Sequence, residues 1–218
     1  MFVAALRRTV GTAPRRWILG AALLLGVLAA VAVSVFGSPT FAALSDPVQS
    51  LMSVVVPFTG ALAAGDVLRS RLPVRPTLLA ASALAAGVGL FGAAVCAVAA
   101  TTSSASFVWH DAGLVAAGGV LVQVVAQLVG TGLGLLIRHR PTACLASIVL
   151  PLGLWFVLGL VYPPVQAWLT PYPSVRNLLS GSMSALAWAQ WGVVVVLWVV
   201  GLNAAGTARV RRVSAVRA

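Results

Sequence analysis

Residues 77–100 read TLLAASALAAGVGLFGAAVCAVAA, an unbroken run without a single charged side chain. A helix rises 1.5 Å per residue and needs about 20 apolar residues to cross a hydrocarbon core about 30 Å thick, so this run is long enough to span a bilayer. Outward from it in both directions, five more stretches meet the same test: Trp17–Phe36, Pro47–Gly65, Ala112–Ile137, Cys144–Tyr162 and Ala187–Gly206. None carries a charge inside, and the connections are too short to hold a soluble domain. The expected fold is an all-α polytopic membrane protein, one transmembrane domain over residues 1–218 with six spanning helices. Residues 1–16 form a segment ahead of the first span, and 207–218 form a tail after the last.

Composition agrees. Of the 218 residues, 61% are hydrophobic and 8% charged, where an ordinary soluble domain has about half and about a quarter. The mean hydropathy is +1.05. A soluble enzyme, a disordered tail and a disulfide-stapled module are all excluded on that balance. The formal net charge is +11, carried entirely by arginine, against Asp46, Asp66 and Asp111. These arginines fall in short clusters between apolar runs, so their expected partner is membrane lipid and not nucleic acid. Counted along six spans, every arginine except Arg176 falls on the side that holds both termini. The positive-inside rule then places both termini in the cytoplasm. The bias toward Ala, Val, Gly, Leu and Arg suits a bacterial plasma membrane.

Missing residue types exclude further chemistry. Without lysine there is no Walker A sequence, and without glutamate no H-E-x-x-H zinc site. His110 and His139 fall in loops on opposite faces, and Cys96 and Cys144 near opposite ends of their spans, too far apart for a disulfide. With no ionisable group inside a span, proton coupling is disfavoured. The reading is of a chain with no catalytic, metal or cofactor residues of its own, driven from outside.

Two spans carry stripes of small and polar residues at helical spacing: Ser50, Ser53, Pro57, Gly60 and Ala64 in the second, and Gly119, Gln123, Gln127, Gly130 and Gly134 in the fourth. Such stripes let helices approach closely and allow buried amides to bond across them. Packing within the bundle is one reading; the other has Ser50, Ser53, Gln123 and Gln127 on a substrate path or dimer seam. Pro57 and Pro151 lie mid-span, where each removes a helical hydrogen bond.

The stretch Pro163–Leu186 holds four prolines together with Trp168 and Tyr172. It is too apolar for a free loop and too broken to span, so it is expected to fold as a partly re-entrant hairpin of short helices with its aromatics at interfacial depth. On the other side, Asp66 through Pro76 reads DVLRSRLPVRP; Asp66 could open a short helix carrying Arg69 and Arg71, closed by Pro73.

The order of these features resembles the type-2 family of ABC transporter permeases, the six-span membrane subunits of ATP-driven exporters. The residues that carry the resemblance are Arg15-Arg16 leading into the first span, the inner loop from Asp66 to Arg75, the close of the fourth span at GLLIRHR (134–140), the Pro-rich outer hairpin and the basic tail RVRR (209–212). The resemblance implies an interfacial helix over Phe2–Arg16. It makes the 66–76 loop an ATPase-coupling element, with Asp66, Arg69, Arg71 and Arg75 as contacts, and the outer hairpin with Trp168 and Tyr172 an extracellular gate. It also implies a partner ATPase binding ATP and magnesium, and a second permease copy or paralogue. The alternative is a non-transport membrane scaffold or immunity protein that acts by binding.

Overall fold

The computed structural model describes residues 2–70 and 72–215, and every regular element among them is helical. A short helix α1 (Phe2–Val10) precedes five long helices: α2 (Ala13–Val35), α3 (Phe41–Ser70), α4 (Val74–Ala100), α5 (Ala112–Leu136) and α6 (Arg140–Val161). Two short helices follow, α7 (Pro163–Leu169) and α8 (Pro171–Leu179). The last long helix is built from α9 (Ala185–Val194), a π-helical stretch (Val195–Gly201) and α10 (Leu202–Ala215). Six of these helices are long and apolar enough to cross a membrane, and the protein is an all-α polytopic one.

Long helices alternate in direction. The start of α2, the end of α3 and the start of α6 meet through Arg15, Asp66 and Arg140. At the other end, the Phe41 amide donates to the Val108 carbonyl at 2.9 Å, and Gly181 (φ +75°) lets the α8–α9 turn close over Asp111. The two chain ends therefore share one face, called here the terminal face.

α3 and α5 form the centre. Over its most apolar stretch 56% of α3 is buried, against 11% of α6. The reason lies in the small-residue stripes: a Cβ on Gly60 would stand 2.5 Å from the Gln127 carbonyl oxygen, and one on Gly134 2.7 Å from the Ala61 Cα. Backbones approach this closely only where the side chain is a hydrogen atom. α2 packs on α3, and α4 packs on both α3 and α5, through Ala22, Leu44, Val48, Met52, Ala85 and Val115. α8 and α9 pack on α5 through Val122, Leu178 and Trp191. The outer surface of α6 exposes Leu145, Val149, Phe156 and Leu160, an apolar belt that suits lipid and not water.

Several boundaries differ from those read in the sequence. The second span begins at Phe41, so Pro47 falls inside the helix, where it leaves the Ala43 carbonyl without its regular helical donor. The first sixteen residues are not one interfacial helix: Gly11 and Thr12 interrupt it, Pro14 starts a new one, and Arg15 and Arg16 belong to α2. The last span does not end at Gly206. Helix continues to Ala215, so most of the expected tail is helical. The segment 163–186 does contain two short helices, each opened by a proline in its first turn.

Candidate functional site

Two constellations stand out, one at the terminal face and one midway along the bundle. The first is centred on Asp66. In α3, Leu62 and Asp66 are one turn apart, so a main-chain carbonyl and a carboxylate lie side by side. The Arg15 guanidinium takes both, donating from Nη2 to the Leu62 carbonyl at 2.9 Å and to Asp66 Oδ2 at 2.6 Å; its Nη1 donates to the Arg8 carbonyl at 2.7 Å. Only 4% of the Arg15 side chain is exposed, so this is an interior arginine with its fork almost filled. Arg140 Nη2 donates to the other carboxylate oxygen at 2.5 Å, and Gly65 leaves the room for it, since a Cβ there would stand 2.7 Å from Arg140 Nε. One carboxylate thus ties α3 to α2 and α6, and Arg15 carries the tie on to α1. Beside it a cavity of about 200 Å³ opens between α1 and the α3–α4 end, lined by Ala4, Thr9, Asp66 and Pro73.

Of the residues read as a coupling set, Asp66 turns inward to this node, whereas Arg69 in the last turn of α3 and Arg75 in the first turn of α4 are exposed. Arg71 lies outside the described residues. The separate short helix expected to open at Asp66 does not form. α3 runs on through Asp66 to Ser70 because nothing in Ala61–Arg69 breaks it, and the α3–α4 connection shrinks to three residues ahead of Val74. Sequence reasoning missed Arg15 and Arg140, grouped with flanking charge. The available signal was numerical: the only acid on a face holding thirteen arginines has to be paired.

The second constellation is a cavity of about 240 Å³ between α3, α5, α6, α8 and the π-helical stretch. Its walls are mostly apolar, with Ser50, Ser53 and Pro57 from α3 facing Ser147 and Pro151 from α6. The pattern Ser-x-x-x-Pro occurs in both helices, 53–57 and 147–151. Each proline lacks the amide that would bond the carbonyl four residues earlier, so the Ser53 and Ser147 carbonyls, both on cavity-lining residues, lose their regular helical donors. Both hydroxyls are turned back on their own helix, Ser53 Oγ donating to the Ser50 carbonyl at 2.8 Å and Ser147 Oγ to that of Cys144 at 2.7 Å. An otherwise oily space therefore carries paired hydrogen-bond acceptors.

Tyr172 and Trp198 complete the wall. Tyr172 meets Trp155 edge-on with ring centroids 6.0 Å apart, and burial pushes its phenol above the usual range, so it stays a neutral donor at physiological pH. Trp198 donates from Nε1 to the Leu169 carbonyl at 2.8 Å, tying the π-helical stretch to the end of α7. Gln166 of α7 in turn donates to the Trp155 carbonyl of α6 at 2.7 Å. Trp168 is half-buried on α7 and does not line the cavity.

Gln123 and Gln127 are placed elsewhere. Both are fully buried inside the chain. Gln123 Nε2 donates to the Gln49 carbonyl at 2.8 Å and to Gln49 Oε1 at 2.9 Å, while Gln49 Nε2 donates to the Gly89 carbonyl at 3.0 Å. Gln127, with its amide nitrogen toward α3, donates to the Val56 carbonyl at 2.5 Å and to Thr59 Oγ1 at 3.0 Å, and its oxygen accepts from the Gly60 amide at 3.2 Å. Of the two readings open for these stripes, packing describes the glutamines, and the cavity wall describes Ser50 and Ser53. Gln49, the centre of the amide chain, escaped notice because it lies one residue off the Ser50 stripe. We expect Gln123→Ala with Gln127→Ala to lower stability by about 1–4 kcal/mol, at roughly 0.6–2 kcal/mol per interhelical amide. Thermal unfolding of the purified variant checks this, and a wild-type melting temperature would overturn it.

No protein-family model matches this chain, and no curated protein matches it.

Proposed function

We propose that the chain is the membrane-spanning permease subunit of an ATP-driven exporter, coupled to a separate ATPase and working as a pair of permease chains. The observation that carries this reading is the Asp66 node. A push on the exposed arginines at the α3–α4 connection acts on the end of α3. Through Asp66 it reaches α2 and α6, and both α3 and α6 wall the cavity about two to three helical turns further along. An element with two stable arrangements is what an external energy source needs to bias, and the prolines in α3 and α6 give each helix a weakened turn beside the cavity. α7 and α8 would act as the outer gate over that cavity, with Tyr172 on its wall. The arginine bias supports a cytoplasmic terminal face, and the composition a bacterial plasma membrane.

Affinity capture of the full chain from native membranes in a mild detergent, followed by mass spectrometry, tests the reading. A P-loop ATPase is expected in about stoichiometric amount, and it should be lost when Arg69, Arg71 and Arg75 are changed to Asp. Capture of the chain without an ATPase in several mild detergents would remove the energy source and leave a scaffold that acts by binding.

A further inference from the structure

A second opening lies between α4 and the last helix, which scarcely touch each other while both pack on α5. It is an open groove of about 870 Å³, with Leu128 of α5 among its lining residues, and exposed apolar side chains such as Leu79 and Val200 on its walls. That volume falls within the range of ligand pockets, roughly 300–1,000 Å³. Its mouth at the terminal face carries Arg75 in the first turn of α4 and Arg211 near the end of α10. Neither has an acidic partner among the described residues: Asp66 is taken by Arg15 and Arg140, and Asp46 and Asp111 lie toward the opposite face.

Asn203 faces the groove two turns along the helix from Arg211, and it is 9% exposed. Its Nδ2 donates to the Leu128 and Val199 carbonyls, both at 2.9 Å, but its Oδ1 has no donor. An apolar trough of this kind, with two cations at its mouth that lack an acidic partner among the described residues, complements a molecule with an oily chain and an anionic group.

We propose that this groove holds one acidic phospholipid. Its phosphate lies between Arg75 and Arg211, and its acyl chain runs against Leu79, Leu128 and Val200. The site is independent of the transport reading, since it needs neither an ATPase nor a second copy.

Native mass spectrometry of the full chain in a nonionic detergent tests it, with phosphatidylglycerol and phosphatidylcholine added in turn. The wild-type chain is expected to retain one phosphatidylglycerol with a preference of roughly tenfold or more over phosphatidylcholine, from two arginines near the phosphate. Arg75→Gln with Arg211→Gln should bring the preference near parity, while Arg176→Gln on the opposite face leaves it intact. Ser82→Trp fills the groove with both arginines in place and should also lose the bound lipid. A wild-type preference in either groove variant, or none in the wild type, overturns the proposal. So does a wild-type dimer that Ser82→Trp splits, because a second copy would then be the occupant.

Discussion

Asp66→Ala is expected to destabilise the protein by about 2–4 kcal/mol, enough to lower its melting temperature markedly and broaden its elution in detergent. Removing one partner of a buried ion pair costs roughly 3–5 kcal/mol because the other charge is left uncompensated. The estimate is lowered here because a third of the Asp66 side chain and 29% of that of Arg140 are exposed, where water screens the charge. Arg15 decides the outcome. It is 4% exposed and would keep its carbonyl partners but lose its only counter-charge. A double-mutant cycle separates the two pairs. Coupling between positions 15 and 66 should exceed 1 kcal/mol and be larger than that between 140 and 66, where solvent can replace the lost partner. Equal melting of Asp66→Ala and wild type would mean that the carbonyls alone hold Arg15, and the node would lose its role as a fastener.

Gly130→Ala is expected to cost at least as much, although it adds one methyl group. The new Cβ would overlap the Pro57 carbonyl, a main-chain group in the opposing helix, so no rotamer change relieves it. Overpacking of that kind costs about 1–3 kcal/mol when side chains can yield, and more when backbones must part. Separating α3 from α5 would also pull Gln127 from Thr59 and Gln123 from Gln49, so the losses are coupled. Gly153→Ala in α6 and Gly192→Ala in α9 are the controls, because a Cβ at either meets nothing within 4 Å. These should be neutral or stabilising by up to about 1 kcal/mol, from helix propensity alone. If all three variants melt together, the α3–α5 contact is looser than the geometry requires.

The contrast among these glycines shows how far the sequence could be read. Glycines 119, 130 and 134 share a helical stripe with two glutamines, and that periodicity marked a helix–helix contact before any partner was known. It could not say that the partner was α3 of the same chain, because a stripe specifies a face and not what covers it. The serines of α3 show the converse. Ser50 and Ser53 fall on the same sequence stripe as Gly60, yet the two serines line the cavity between α3, α6 and α8 while Gly60 abuts α5. The matching Ser-x-x-x-Pro in α6 was printed in the sequence as well, but two such patterns 94 residues apart acquire meaning only when folding sets them across one space.

What the sequence by itself determined was the class of solvent and the number of crossings. Lipid solvation requires long uncharged runs whose backbone bonds are satisfied internally, and both requirements are local, so each run could be recognised alone. The short proline-headed helices α7 and α8 and the arginine asymmetry were legible for the same reason. Only the tertiary structure decided which of the arginines is interior, that Asp66 fastens α3 to α2 and α6, that Gln49 organises the buried amides, and that a groove separates α4 from the last helix. Each of these depends on pairing groups far apart in the chain. An isolated arginine carries the same charge whether it faces water, lipid or a carboxylate; its role is set by what the packing of other helices leaves for it to bind.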